Sequence, residues 1–215
     1  MLKLYSFWRS SAAYRVRIAL NLKVLDYKIE RVDLLKNGGE QHSEAYRALN
    51  PQELVPLLVD DDFRLPQSLA IFQYLEDRWP EPHLVPDDAR ERARMWAFCQ
   101  AIACDIHPLN NTRVLQYLGD KFKAADADKA SWYRHWIIEG FKALETTQRE
   151  RVATDYCFGD APTFADCCLV PQWFNAERYQ CPLENFPRLA AIVARCRVHE
   201  AFIDAHPQNQ PDAQK

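Results

Sequence analysis

Every β-type segment of this 215-residue chain falls before residue 67, and everything beyond residue 88 reads as helix. That segregation excludes both an all-β fold and a continuous alternation of strands and helices, and it leaves a small mixed domain followed by a helical one. Residues 2–7 (LKLYSF) are short, apolar and aromatic, and predict a strand. Ser10 and Ser11 can each cap a helix, and Ala13, Val16, Ala19 and Leu20 then recur at helical spacing to about Leu22. Tyr27 to Leu34 predicts a second strand, and 36–49 a polar loop with a helical turn or two. Two β-type runs, Val55–Val59 and Phe63–Leu65, flank Asp60-Asp61-Asp62 and predict a hairpin. Ser68 then caps an amphipathic helix built on Leu69, Ile71, Phe72, Leu75 and Trp79.

The order βαβ-ββα is the plan of a thioredoxin-like domain, expected over 1–80. Pro80, Pro82 and Pro86 mark 81–88 as a linker. An all-helical domain is expected over 89–215, with helices at 89–118 (kinked at Pro108), 129–149, 164–179 and 187–199. Thr163 and Asp166 fit a helix-start cap, and the polar tail from His206 is expected to fray. The fold class is therefore α/β plus all-α.

A net charge of -3 and a pI near 6.1 offer no attraction for nucleic acid or an anionic membrane. The apolar runs are too short to span a bilayer and MLKLYSFWRSS carries no targeting pattern, so a cytoplasmic location is expected. The seven cysteines are odd in number, form no CxxC and have no zinc spacing, which points to buried thiols rather than disulfides or a metal. None precedes Cys99, so thiol chemistry in the first third needs a thiol from outside the chain.

Three places there carry candidate chemistry. Ser10 and Ser11 stand where a hydroxyl, backbone N–H groups and the positive end of a helix dipole would favour a thiolate; they could equally serve only as caps. A cis Val55-Pro56 bond would turn the Val55 backbone toward an extended peptide; Pro56 could equally just start a strand. Gln67 and Ser68, at a helix start, suit a carboxylate, although most serine caps bind nothing. Together the three would hold a small peptide by its thiol, its backbone and its carboxylate.

RSSAAYRVRIAL resembles the zeta-class glutathione transferase signature, in which two serines precede a cysteine and a Trp/His-Arg-Val-Arg-Ile-Ala-Leu helix. ALNPQELVPLL and QSLAIFQYLED are similar to the same class at its cis-proline and Gln-Ser segments. DIHPLNNTRVLQYL, NAERYQ and the QPD near the C-terminus extend the likeness over essentially the whole chain. The resemblance, to the class of the maleylacetoacetate isomerases, implies a homodimer with glutathione as cofactor and no metal. It implies Ser10, Ser11 and Arg9 as the catalytic set, with Ser10 the main donor to the glutathione sulfur. Gln41, Val55 and Pro56 would contact the glutathione backbone, and Gln67 and Ser68 its γ-glutamyl group. His107, Asn110 and Asn111 match residues near the active site, and Arg9, Arg113 and Arg178 match those that bind substrate carboxylates. The class cysteine is Ala12 here, and Tyr14 replaces Trp or His. Tyr5, inside the first strand, fits a tyrosine-type site less well than the serines fit theirs. The implied reaction is cis–trans isomerisation of a conjugated enedioate, maleylacetoacetate to fumarylacetoacetate in tyrosine breakdown. Maleylpyruvate isomerisation, general conjugation and non-catalytic binding are the alternatives.

Overall fold

A computed structural model describes residues 1–213. The strands β1 (Leu2–Ser6), β2 (Tyr27–Arg31), β3 (Leu57–Asp60) and β4 (Phe63–Pro66) form one mixed sheet in the order β2-β1-β3-β4. β1 runs parallel to β2 and antiparallel to β3, and β4 closes the hairpin across Asp61, whose φ is 52°. Alternation sets the register: Leu2, Leu4 and Ser6 are buried while Lys3 and Tyr5 are only half-covered. Helix α1 (Ser11–Leu22) follows β1, α2 (Glu44–Leu49) lies in the 36–49 segment after two short 3-10 turns, and α3 (Ser68–Arg78) follows β4.

The described chain divides into two compact units, Met1–Leu84 with the described residues from Arg197, and Val85–Cys196. The C-terminal segment therefore returns to the sheet-containing unit rather than staying with the preceding helices. Helix α1 has no polar face because it is covered from two sides: Arg15 is buried toward Ser68 at the start of α3, and Arg17 toward Ala205 in the returning segment. Helix α9 (Glu200–Ala205) packs on α1, where Asn21 Nδ2 donates to Ala201 O at 3.0 Å. The expected frayed tail is corrected: a 3-10 turn at Pro207–Asn209 follows α9, and Gln210 is buried with its amide donating to Asp204 O and His206 O. Its polar side chains satisfy its own carbonyls, so polarity here does not signal disorder. The proline-marked segment is also tied down, since buried Lys23 donates to Pro80 O and Pro82 O and pairs with Glu76.

The second unit holds α4 (Ala89–Gln100), α5 (Thr112–Phe122), α6 (Asp126–Arg149), α7 (Phe164–Arg178) and most of α8 (Pro187–Arg197). The expected kinked helix at 89–118 is instead broken. After α4 the backbone widens into a π-helical turn, Ala101–Ile106, then tightens at Pro108–Asn110 before α5 begins. Pro108 cannot donate an amide, and Asn111 stops the turn by capping α5. Gly140 of α6 lets Ile106 approach its backbone; a Cβ there would collide with that side chain. The Thr163–Asp166 cap forms as expected: Asp166 Oδ2 accepts from Thr163 N at 2.8 Å.

Candidate active site

Topology brings the first-unit candidates to one end of the sheet. β1 ends at Ser6 and leads through Phe7–Arg9 to Ser10; β3, antiparallel to it, begins just after Val55-Pro56; β4, reversed again, delivers Gln67 and Ser68. Leu57 pairs with both Tyr5 and Pro66, so the three segments are lateral neighbours. Val55 packs in a small core with Phe7, Val32 and Tyr46.

Ser10 is the N-cap of α1, and its Oγ accepts from Ala13 N at 3.2 Å. Capping uses an oxygen lone pair and leaves the O–H proton to donate, so the cap and donor readings are compatible. Ser11 is the first helical residue and buried, and Ala12 beside it is half-exposed. Arg9 is half-buried over the Trp8 ring, 5.5 Å from its centroid. The Val55-Pro56 bond is cis, and so is Glu81-Pro82. Among the described residues, no hydrogen bond outside the helices and strands engages the Val55 backbone.

Gln67 holds the N-cap position of α3 at φ 72°, a conformation that costs a non-glycine residue about 1–2 kcal/mol. Its amide donates to Gln52 at 2.7 Å. Ser68 is thus the first residue of the helix and not its cap, which corrects the expected role. Its buried hydroxyl accepts from Arg15 Nη1 at 3.3 Å. Arg15 stands five positions after Ser10, about 7 Å along the α1 axis, so the start of α3 lies beside the second turn of α1. Around the rim, the Gln41 amide meets the His42 ring, and His42 bonds Glu53, which also takes Arg47 Nε at 3.1 Å. The bond from His42, with Arg47's charge, holds the Glu53 carboxyl below its ordinary range. Sequence reasoning missed Arg15 and Gln52; a cation inside an otherwise apolar helix is the signal for Arg15.

The remaining candidates belong to the second unit. His107 follows the π-helical turn, its N–H donating to Ile102 O at 2.9 Å. Asn110 is buried with Nδ2 on Tyr133 O, and Asn111 Oδ1 caps α5 at Arg113 N, so both are committed to holding local structure. Arg113 stands in the first turn of α5; Arg178, at the end of α7, donates to Asn175 Oδ1 at 3.2 Å and lies over Tyr179. All seven cysteines lie in this unit, as free thiols; six are buried, while Cys104 is exposed, a departure from the expectation. Burial pushes the thiols of Cys99, Cys157 and Cys167 well up. No group of His, Cys, Asp or Glu among the described residues could hold a metal ion. No described helix is long and apolar enough to cross a membrane.

Residues 4–83 match the glutathione S-transferase N-terminal domain family. A probable maleylacetoacetate isomerase of Vibrio cholerae is 50% identical over 98% of this chain and 97% of its own. A bacterial zeta-class glutathione S-transferase, maleylpyruvate isomerase, superposes with a TM-score of 0.94 at 45% identity, over 99% of this chain and all of its own. This chain belongs to the zeta-class glutathione transferases. The maleylacetoacetate isomerase of Anaeromyxobacter dehalogenans with glutathione bound in its active site superposes at 0.88 with 42% identity, over 100% of this chain and 98% of its own. The zeta-class serine motif sits at the α1 start, in a unit that contains no cysteine of its own. The donor set suits a tripeptide thiol: a hydroxyl at a helix N-terminus, an unengaged backbone before β3, and Gln67 with Ser68 backed by a buried cation.

Proposed function

We propose that this protein is a glutathione-dependent cis–trans isomerase that converts maleylacetoacetate to fumarylacetoacetate, a step of tyrosine breakdown. The observation that carries the reading is the convergence of Ser10, Val55 and Gln67-Ser68 at one end of the sheet. Glutathione, when bound, supplies the thiol that adds reversibly to the substrate double bond. The chain's part is electrostatic and positional. The Ser10 hydroxyl and the α1 N-terminus favour the ionised sulfur. The Val55 backbone pairs with the peptide, with Pro56 and Gln41 beside it. Gln67 and Ser68, with Arg15 behind, take the γ-glutamyl carboxylate and amine end.

Arg9, Arg113 and Arg178 are assigned to the carboxylates of the substrate, and His107, Asn110 and Asn111 to the surroundings of the site; these assignments rest on matches to family positions. The likeness at a TM-score of 0.94 to a maleylpyruvate isomerase supports maleylpyruvate as a second substrate reading. The same family resemblance supports a cytosolic homodimer with a thioredoxin-like domain at 1–80, a linker at 81–88 and a helical domain from 89, whose last segment, from Arg197, packs with the first unit. Ultraviolet monitoring of both substrates, with and without glutathione, tests the reading. Isomerisation is expected only with glutathione present and without its consumption. Stoichiometric loss of glutathione would identify a conjugating transferase instead, and turnover without glutathione would sink the proposal.

A further inference from the structure

The loop that carries Arg9 and Ser10 is gripped by the far end of the chain. Trp8 N donates to Asp212 Oδ2 at 2.9 Å, across 204 positions of sequence. Trp8 O accepts from Arg17 Nη2 at 3.0 Å, so both main-chain polar groups of Trp8 are held. The same guanidinium places Nη1 on Ser6 Oγ and Nε on Ala205 O, each at 3.1 Å. One cation thus joins the last residue of β1, the loop and the end of α9. Arg17 is fully buried, and burial lowers its pKa to about 10, with Asp212 among the charges that oppose the shift. Asp212 also acts on Arg31. The segment leading to Asp212 is held by its own bonds: Asn209 Nδ2 donates to Ile203 O at 2.8 Å, Gln210 Nε2 donates to two carbonyls, and the His206 ring meets the Tyr14 ring edge-on.

We propose that Asp212 and Arg17 are positioning residues for Ser10, forming a clamp in which the C-terminal segment sets the place of the Phe7–Ser10 loop. The inference rests on the functional reading above only for its kinetic consequence. Neither residue contacts the sulfur; they fix the backbone two positions before the hydroxyl that does. Glutathione's peptide and carboxylate contacts lie on other segments, at Val55 and Gln67-Ser68, and are expected to survive loss of the clamp.

The test compares Asp212→Ala, Asp212→Asn and a chain cut after Gln210. In Asp212→Ala and the cut chain, kcat should fall on the order of tenfold and the bound thiol's pKa should rise. Glutathione affinity should change less than about twofold. Amide exchange over residues 7–13 should quicken. Asp212→Asn keeps an oxygen that can accept from Trp8 N and should restore most of each property. Unchanged kcat and exchange in Asp212→Ala would overturn the clamp. So would an Asn variant as damaged as the Ala variant, or glutathione affinity that falls in step with kcat, which marks general loosening. A wild-type protein that failed to bind glutathione or isomerise would overturn the functional reading alone, and the exchange comparison would still decide the clamp.

Discussion

Ser10 does two jobs with one oxygen, and they separate by mutation. Ser10→Ala removes the acceptor for Ala13 N and also the donor proposed for the thiolate. The first loss costs about 1 kcal/mol of stability. The second should lower turnover roughly 10²-fold while glutathione affinity changes far less, because the donor matters most when the thiol must ionise. Thiolate absorbance of the glutathione complex across pH checks this; an unmoved thiol pKa in Ser10→Ala would refute the assignment. Ser68→Ala should show the opposite split. It removes the hydroxyl to which Arg15 donates, and weaker glutathione binding by about 1.5–3 kcal/mol is expected by calorimetry. The rim adds a pH signature. A carboxyl whose folded pKa is depressed contributes order that is present above its unfolded value of 4.5 and is lost as pH falls through the folded value. The Gln41–Glu53 rim should therefore hold above pH 4.5 and loosen as pH falls through the lowered folded value of Glu53. NMR titration of Glu53 should show its pKa rising in His42→Ala, and equal values in the two proteins would rule out His42 as the cause.

At the scale of elements, the start of α7 concentrates the most consequence in one side chain. Asp166 is fully buried, and that burial pushes its pKa up even though Thr163 N, Thr163 Oγ1 and Cys157 N all point at it. Asp166→Ala would strand two buried N–H groups and remove the cap, each N–H costing about 1–3 kcal/mol. The melting temperature should fall by roughly 5–15 °C. Calorimetry would decide it, and a shift of only a degree or so would show that water replaces the carboxylate. This cap was legible from the Thr-x-x-Asp spacing because it is local. The break between α4 and α5 was not: Pro108 signalled an interruption, but the π-helical turn before it accompanies the packing of Ile106 against Gly140, a contact between residues far apart in sequence.

For the whole molecule, the proposed homodimer makes light scattering the direct check. A species of twice the 25.1 kDa chain mass is expected at micromolar concentration, and only the single-chain mass would contradict it. The returning C-terminal segment also makes truncation informative at this scale. A chain cut before α9 would uncover the face of α1 that carries Arg17 and Asn21, and it should expose apolar surface to a hydrophobic dye. Dye binding equal to that of the full chain would show that α9 is dispensable to the first unit.

The sequence by itself determined the order of elements, the sheet-then-helix segregation and the three-part serine, proline and Gln-Ser pattern. Each of these is written in local periodicity, in turn residues or in a short motif. Tertiary structure alone decided how that pattern is supported. Arg15 behind Ser68, Arg17 joining Ser6, Trp8 and Ala205, and Asp212 on Trp8 are pairings of buried or half-buried charges across as many as 204 positions. A polar tail and an arginine in a helix look solvated until the fold removes water from them. Burial then makes each unsatisfied donor costly, and the partners must be found wherever the chain has brought them.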